Sequence, residues 1–191
     1  METEQALCIV NTRKRARQIY EMLPEEGRFH LSTLMVPEDR ERTLEVIRER
    51  LQKGKICRVV STSLVEAGVD VDFPTVWREM TGLDSILQAA GRCNREGRRS
   101  AEQSIVHVFE MEGGIPRGIM QQREAAIKTM EKYPEINTRQ AIQAYFKRLL
   151  MERGDDMLDQ KKILNLERSC MFKQTEREFR LIDEDTRTVY I

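Results

Sequence analysis

Apolar and polar positions follow two alternating rhythms along the first hundred or so residues. Ala6-Leu7-Cys8-Ile9-Val10 is an apolar run of strand length. After Asn11-Thr12 the period changes: Ala16, Ile19, Tyr20 and Leu23 recur at helical spacing until Pro24 stops them. Residues 29–34 predict a second strand. Pro37 then stands where helices begin, and Leu44, Ile47 and Leu51 form one apolar stripe that ends before Gly54. Further strands are predicted over 56–61, 75–80 and 104–109, with a helix over 84–95 between the last two. Strands alternating with helices of this length predict a doubly wound, mostly parallel α/β sheet with helices on both faces, over residues 1–112.

The rhythm shifts after Gly113-Gly114. Amphipathic helices are predicted over 118–132 and 137–153, the second with Ala141, Ile142, Tyr145 and Leu149 on one face, and a third over 157–166. Apolar segments at 179–182 and 188–191 flank Asp183-Glu184-Asp185-Thr186, which reads as a hairpin turn. Residues 113–191 are therefore expected to form a helical linker and the start of a C-terminal region. The chain stops inside a strand signal, which is expected of a piece of something longer.

Composition changes this picture little. With 40% hydrophobic residues among 191 the chain can bury a core, which excludes wholesale disorder. Its 32 basic and 32 acidic residues cancel, excluding a protein coated in positive charge while leaving room for a local basic groove. No apolar run approaches the roughly 18–20 residues needed to span a bilayer, and the start is not a signal peptide, so a cytoplasmic protein without membrane contact is expected. Cys8, Cys57, Cys93 and Cys170 lie far apart and only His30 and His107 supply imidazole, so no bound metal is expected.

Three segments carry candidate chemistry. In Gln88-Ala-Ala-Gly91-Arg92-Cys-Asn-Arg95, helical spacing would put Gln88, Gly91, Arg92 and Arg95 on one face. Two arginines a turn apart with no acid between them call for an external anion, and a phosphate chain matches the guanidinium fork. The plain alternative is a solvated basic face. In Val59-Val60-Ser61-Thr62 through Glu66-Ala-Gly68-Val-Asp70, a strand runs into a polar loop at its carboxyl end, where parallel sheets bind ligands. Thr62 offers a hydroxyl, Gly68 a tight turn and Asp70 an acceptor for a ribose, although a simple turn would use the same residues. Asn11-Thr12 ends the first strand at a helix N-terminus, suited to phosphate or to capping alone.

In this order the three segments resemble motifs IV, V and VI of the second RecA-like domain of superfamily 2 helicases. Glu66-Ala-Gly-Val-Asp-Val-Asp-Phe73, Gly82-Leu-Asp-Ser-Ile-Leu-Gln-Ala-Ala-Gly-Arg-Cys-Asn-Arg-Glu-Gly97 and Phe179-Arg-Leu-Ile-Asp-Glu-Asp-Thr186 resemble the CRISPR-associated helicase–nuclease of type I systems. The resemblance implies that Arg95 is an arginine finger for ATP held by the preceding lobe, that Arg92 assists it, and that Gln88 couples the nucleotide to closure. It implies a nucleotide-side role for Asp70, Gly68, Gly91 and Glu66. It further implies single-stranded DNA contacts at Thr62, Asn11, Thr12, Ser32 and Thr33. ATP with Mg2+ would be held mainly by the first RecA-like lobe. That lobe, the nuclease domain of the same chain and a CRISPR surveillance complex would be its partners. A docking module with the same fold, or a lobe of another superfamily 2 motor, stays open as an alternative.

A phosphate loop is missing from the sequence: its Gly54-Lys55 pair is followed by Ile56, and Glu49 stands where the first glycine is needed. Leu181-Ile-Asp-Glu184 imitates a strand ending in magnesium ligands and reads as a turn. The resemblance therefore implies half of a two-lobed motor, and the isolated chain is expected to be inactive.

Overall fold

The computed structural model describes residues 4–66, 68–153 and 159–179. These fall into two compact units, Met1–Tyr145 and Phe146–Ile191.

Five parallel strands build the first unit: β1 (Gln5–Ile9), β2 (Arg28–Leu31), β3 (Cys57–Ser61), β4 (Thr75–Glu79) and β5 (Ile105–Phe109), in the order β2-β3-β1-β4-β5. β1 is central and is apolar from Ala6 to Ile9 because both of its faces are covered there. Leu7 and Ile9 point to one side with Leu31, Val59 and Val76. There they meet Leu44 and Ile47 of α2 (Pro37–Gln52) and Ala89 of α3 (Leu83–Ala90). Cys8 and Val10 point the other way with Val60, against Ala16, Ile19 and Tyr20 of α1 (Arg13–Met22) and Leu23 just after it. The two stripes read from the sequence are thus the two helix contacts of the sheet.

The termini of these helices follow from local chemistry. Thr12 caps α1, its hydroxyl oxygen accepting a hydrogen bond from the Arg15 N–H at 3.2 Å. Pro37 opens α2, with Glu38 and Asp39 in its first turn, where the helix dipole favours acids. Strand β2 is shorter than its apolar pattern, because Ser32 starts a turn: its carbonyl accepts the Met35 N–H at 3.1 Å.

Helix α3 is where the expectation of residues 84–95 has to be corrected. It ends at Ala90 with Gly91 as its cap. Beyond it, Phe73 donates its N–H to the Arg92 carbonyl (2.9 Å) and Asn94 donates to the Phe73 carbonyl (3.0 Å), forming a short parallel bridge. Asn94 and Gly97 take positive φ, which no helix continues through. Pairing with Phe73 outcompetes another turn of helix, so Gln88, Gly91, Arg92 and Arg95 do not share one helical face.

α4 (Met120–Lys132) follows a single 3-10 turn and buries Ala125, Ala126 and Thr129. The first turns of α5 (Arg139–Arg153) bury Ala141 and Tyr145, whose hydroxyl donates to Asp84 Oδ1 at 2.7 Å. In the second unit the described elements include α6 (Ile163–Arg168), whose first N–H groups are capped by the Asp159 carboxylate, and α7 (Phe172–Glu178). Of the expected helix over 157–166, residues 157 and 158 lie outside the described residues, 159–162 are not helical and α6 begins at Ile163, while α7 lies where none was predicted. The expected hairpin over 179–191 falls outside the described residues from 180 onward. Among the described residues, no helix is long and apolar enough to cross a membrane.

Candidate nucleotide- and DNA-facing edge

The carboxyl ends of β2, β3, β1 and β4 run side by side, and most of the sequence-derived candidates lie on the loops leaving them. Ser32 and Thr33 follow β2, Thr62 follows β3, Asn11 and Thr12 follow β1. Thr33 is exposed. Ser32 is buried, its Oγ turned to the Leu34 N–H at 3.4 Å. Thr62 makes no side-chain bond to the 3-10 turn Ser63–Val65 that it precedes.

Arg92 and Arg95 reach this edge from the turn after α3. Arg92 donates from Nε to the Val65 carbonyl (2.8 Å) and from Nη2 to the Glu66 carbonyl (2.6 Å), so it is clamped to the loop after β3. Partial burial, then the neighbouring Arg95 charge, push its pKa below the usual guanidinium value. Arg95 is 40% exposed; its Nε lies 3.2 Å from Oδ1 of Asp70, which is itself 78% exposed. The Arg95 N–H donates to Asp72 Oδ1 (2.7 Å), and Arg99 pairs with Asp72 Oδ2 (3.0 Å), which fixes the turn that presents Arg95. Gly68, with φ of +71° and open space around its Cα, turns the loop up toward Asp70. Gln88 is exposed on α3, and Gly91 closes that helix.

Thus Glu66, Gly68, Asp70, Arg92 and Arg95 are brought together, though by a loop and a turn rather than by a helix face. Glu66 faces inward: its carboxylate meets Arg78 at 3.0 Å, and burial raises its pKa. Its backbone carbonyl, not its side chain, serves the arginine. Asn11 is likewise engaged at both ends of its amide. Oδ1 accepts from Arg78 Nη1 (2.8 Å) and Nδ2 donates to the Met80 carbonyl (2.9 Å). Its N–H donates to Glu79 Oε2 at 2.8 Å, and Glu79 pairs with Arg15.

Sequence reasoning passed over Arg78, Glu79 and Gly82. The signal was available: Arg78-Glu79 are two charges inside a strand pattern that predicts burial, and buried charges need partners. At Gly82 an added Cβ would stand 2.6 Å from the Tyr145 hydroxyl and 2.5 Å from Asp84 Oδ1. Cys8 and Cys57 are buried thiols pushed up to about 12, chiefly by desolvation, and so are unreactive. Among the described residues, no group of three or more His, Cys, Asp and Glu could hold a metal ion.

A parallel sheet wrapped on both faces, with two arginines beside a glycine turn at its carboxyl edge, is a RecA-like lobe of the helicase kind. The chain matches the family model described as CRISPR-associated nuclease/helicase Cas3, C-terminal, over residues 2–98, and it belongs to that family. It is 30% identical over 114 residues to the CRISPR-associated helicase Cas3 of Thermoproteus tenax, covering 58% of this chain and 19% of that one. Its fold matches the crystal structure of T. fusca Cas3-ATP with a TM-score of 0.60 at 16% identity, over 93% of this chain and 23% of that one. It also matches a chain in a CRISPR RNA-guided surveillance complex, pre-nicking, with a TM-score of 0.56 at 18% identity, over 91% of this chain and 24% of that one. The chain therefore spans less than a quarter of the length of these relatives.

Proposed function

We propose that the chain is the second motor lobe of an ATP-dependent single-stranded-DNA helicase acting in CRISPR interference. The observation that carries this reading is the pair Arg92 and Arg95, held at the carboxyl edge by the loop after β3. Charge spreads over the oxygens of a phosphoryl group in transfer, and an arginine supplied from a second lobe stabilises it without reorganising. Arg95 is the finger: it is half exposed, and its surface partner Asp70 is a weak competitor for it. Arg92 is the inner support. Gln88 and Asp70 face the nucleotide side, and Gly68 and Gly91 shape the backbone there. Glu66 acts through its carbonyl on Arg92.

ATP and Mg2+ are held by a phosphate-loop lobe, since this sequence carries no such loop. Along the same edge exposed Thr33 supplies a hydroxyl, and the chain at Thr12, Thr62 and Ser32 supplies backbone groups, to a DNA phosphate backbone, while Asn11 holds the β1 end in place. Residues 1–112 are the lobe proper and 113–191 the linker toward a further region. A nuclease domain and a CRISPR surveillance complex are the remaining partners. For the complex, support comes from the similar chain seen in one.

The test is alanine substitution at each arginine in the full-length protein. Arg95→Ala should lower ATP turnover by about 10³-fold or more, as for arginine fingers in general, with DNA affinity retained. Loss of DNA affinity with turnover intact would instead mark a nucleic-acid-docking module.

A further inference from the structure

Arg78 is the most buried guanidinium at the functional edge, with 3% of its side chain exposed, and none of the roles above uses it. It lies in β4 opposite Ile9 and points to the α2 and α3 side of the sheet, as Ile9 and Val76 do. Its Nη1 donates to the Asn11 side-chain oxygen at 2.8 Å, to the Glu79 carbonyl at 3.0 Å and more weakly to the Ile9 carbonyl at 3.4 Å. On its other side, Nε faces Glu66 Oε1 at 3.0 Å without the alignment of a hydrogen bond.

A single planar group therefore touches the ends of β1 and β4 and the turn after β3. Continuing outward, the Glu66 carbonyl receives Arg92 Nη2 at 2.6 Å. In the other direction Asn11 adjoins Thr12, the cap of α1. The route from Arg92 to Thr12 is thus Glu66, Arg78 and Asn11, in unbroken contact.

Stability alone accounts poorly for such an arrangement. Burial disfavours the charged form of both partners, lowering the Arg78 pKa and raising that of Glu66. Buried ion pairs are often matched or bettered in stability by apolar residues of similar volume. What an apolar pair cannot do is fix three chain segments to one rigid fork, and a lysine, with one ammonium, cannot span them either.

We infer that Arg78 is the positioning residue that couples the nucleotide-side arginines to the DNA-side end of β1. Movement of Arg92 on a phosphate then shifts the Glu66 turn, Arg78 and Asn11 as one body. The inference rests on the motor reading above and adds to it a specific residue through which DNA and ATP communicate, coupling of the kind that contiguous polar networks can carry.

The experiment uses the full-length protein, ATP and a single-stranded oligothymidylate, with Arg78→Lys as the first variant because it keeps a charge opposite Glu66. Arg78→Met with Glu66→Gln, a neutral pair, is the second. Thermal unfolding identifies folded variants, and nucleotide and DNA affinities are measured separately from turnover. The expected result is that both affinities stay within about threefold while stimulation of turnover by DNA falls at least about fivefold, the lower end of coupling between two sites. A purely structural residue would move unfolding temperature or affinity and leave the stimulation ratio alone. A folded variant stimulated as strongly as the unaltered protein overturns the coupling role. If the unaltered protein shows no DNA-stimulated hydrolysis, the motor reading itself fails and takes this inference with it.

Discussion

At the scale of single residues, two glycines of the first unit predict sensitivities of different size. Gly27 has φ of +66°, and an added Cβ would stand 2.3 Å from the Ile56 carbonyl oxygen, a backbone atom that cannot swing away. Gly27→Ala should destabilise by at least about 2 kcal/mol, combining left-handed strain with overpacking. Gly68, at +71°, has open space around it, so Gly68→Ala should cost only the strain, roughly 1 kcal/mol. Urea unfolding of the two variants checks both. His30 makes a different prediction. Burial lowers its pKa from 6.5, its Nε2 has no hydrogen-bond partner, and it packs on the Tyr20 ring beside Arg28. Below pH 6.5 the unfolded chain binds more protons than the folded one. Stability should therefore fall as pH drops from 6.5 toward the lowered native value, then level off. His30→Phe should flatten that acid-side decline in a denaturation series across pH.

At the scale of elements, helix α2 separates packing from exposure within two neighbouring positions. Ile47 is fully buried between α2 and the sheet, whereas Val46 is 43% exposed. Ile47→Ala should cost about 2–5 kcal/mol and Val46→Ala no more than about 0.5 kcal/mol, by equilibrium unfolding. Every strand and helix of the first unit could be placed from its apolar period, since burial on one or two faces writes that period into the sequence. The α3 end could not. Gln88 to Arg95 has the right spacing for a helix face, and only the approach of Phe73, some twenty residues away in the chain, diverts the backbone at Gly91. The same limit hid Arg78: its charge was visible, but the Glu66 and Asn11 groups that meet it arrive from two other segments.

At the scale of the whole molecule, the proposed role has the two arginines act on a phosphate held by another lobe, because no phosphate loop occurs in the sequence. The isolated 191-residue chain should show no ATP hydrolysis in a coupled assay, with or without DNA. It should bind single strands weakly, with log affinity falling by about 0.7 per log unit of salt for each phosphate contacted; a salt-independent association would remove the backbone-contact reading. The balanced charge does not oppose this, since Arg92 and Arg95 are gathered at one edge while acids such as Glu38, Glu45 and Glu49 line exposed helix surface. The sequence alone determined the alternation of strands and helices, the parallel sheet and the identity of the arginine-bearing segment. These depend on period and composition within short windows. The tertiary structure decided which groups are free to meet a ligand. Glu66 and Asn11 turn inward to Arg78, Arg92 is clamped by two carbonyls, and Arg95 stays exposed beside Asp70. The physical reason is that hydrogen bonds and ion pairs are satisfied by whatever the fold brings within about 3 Å, and such neighbours carry no trace in linear spacing.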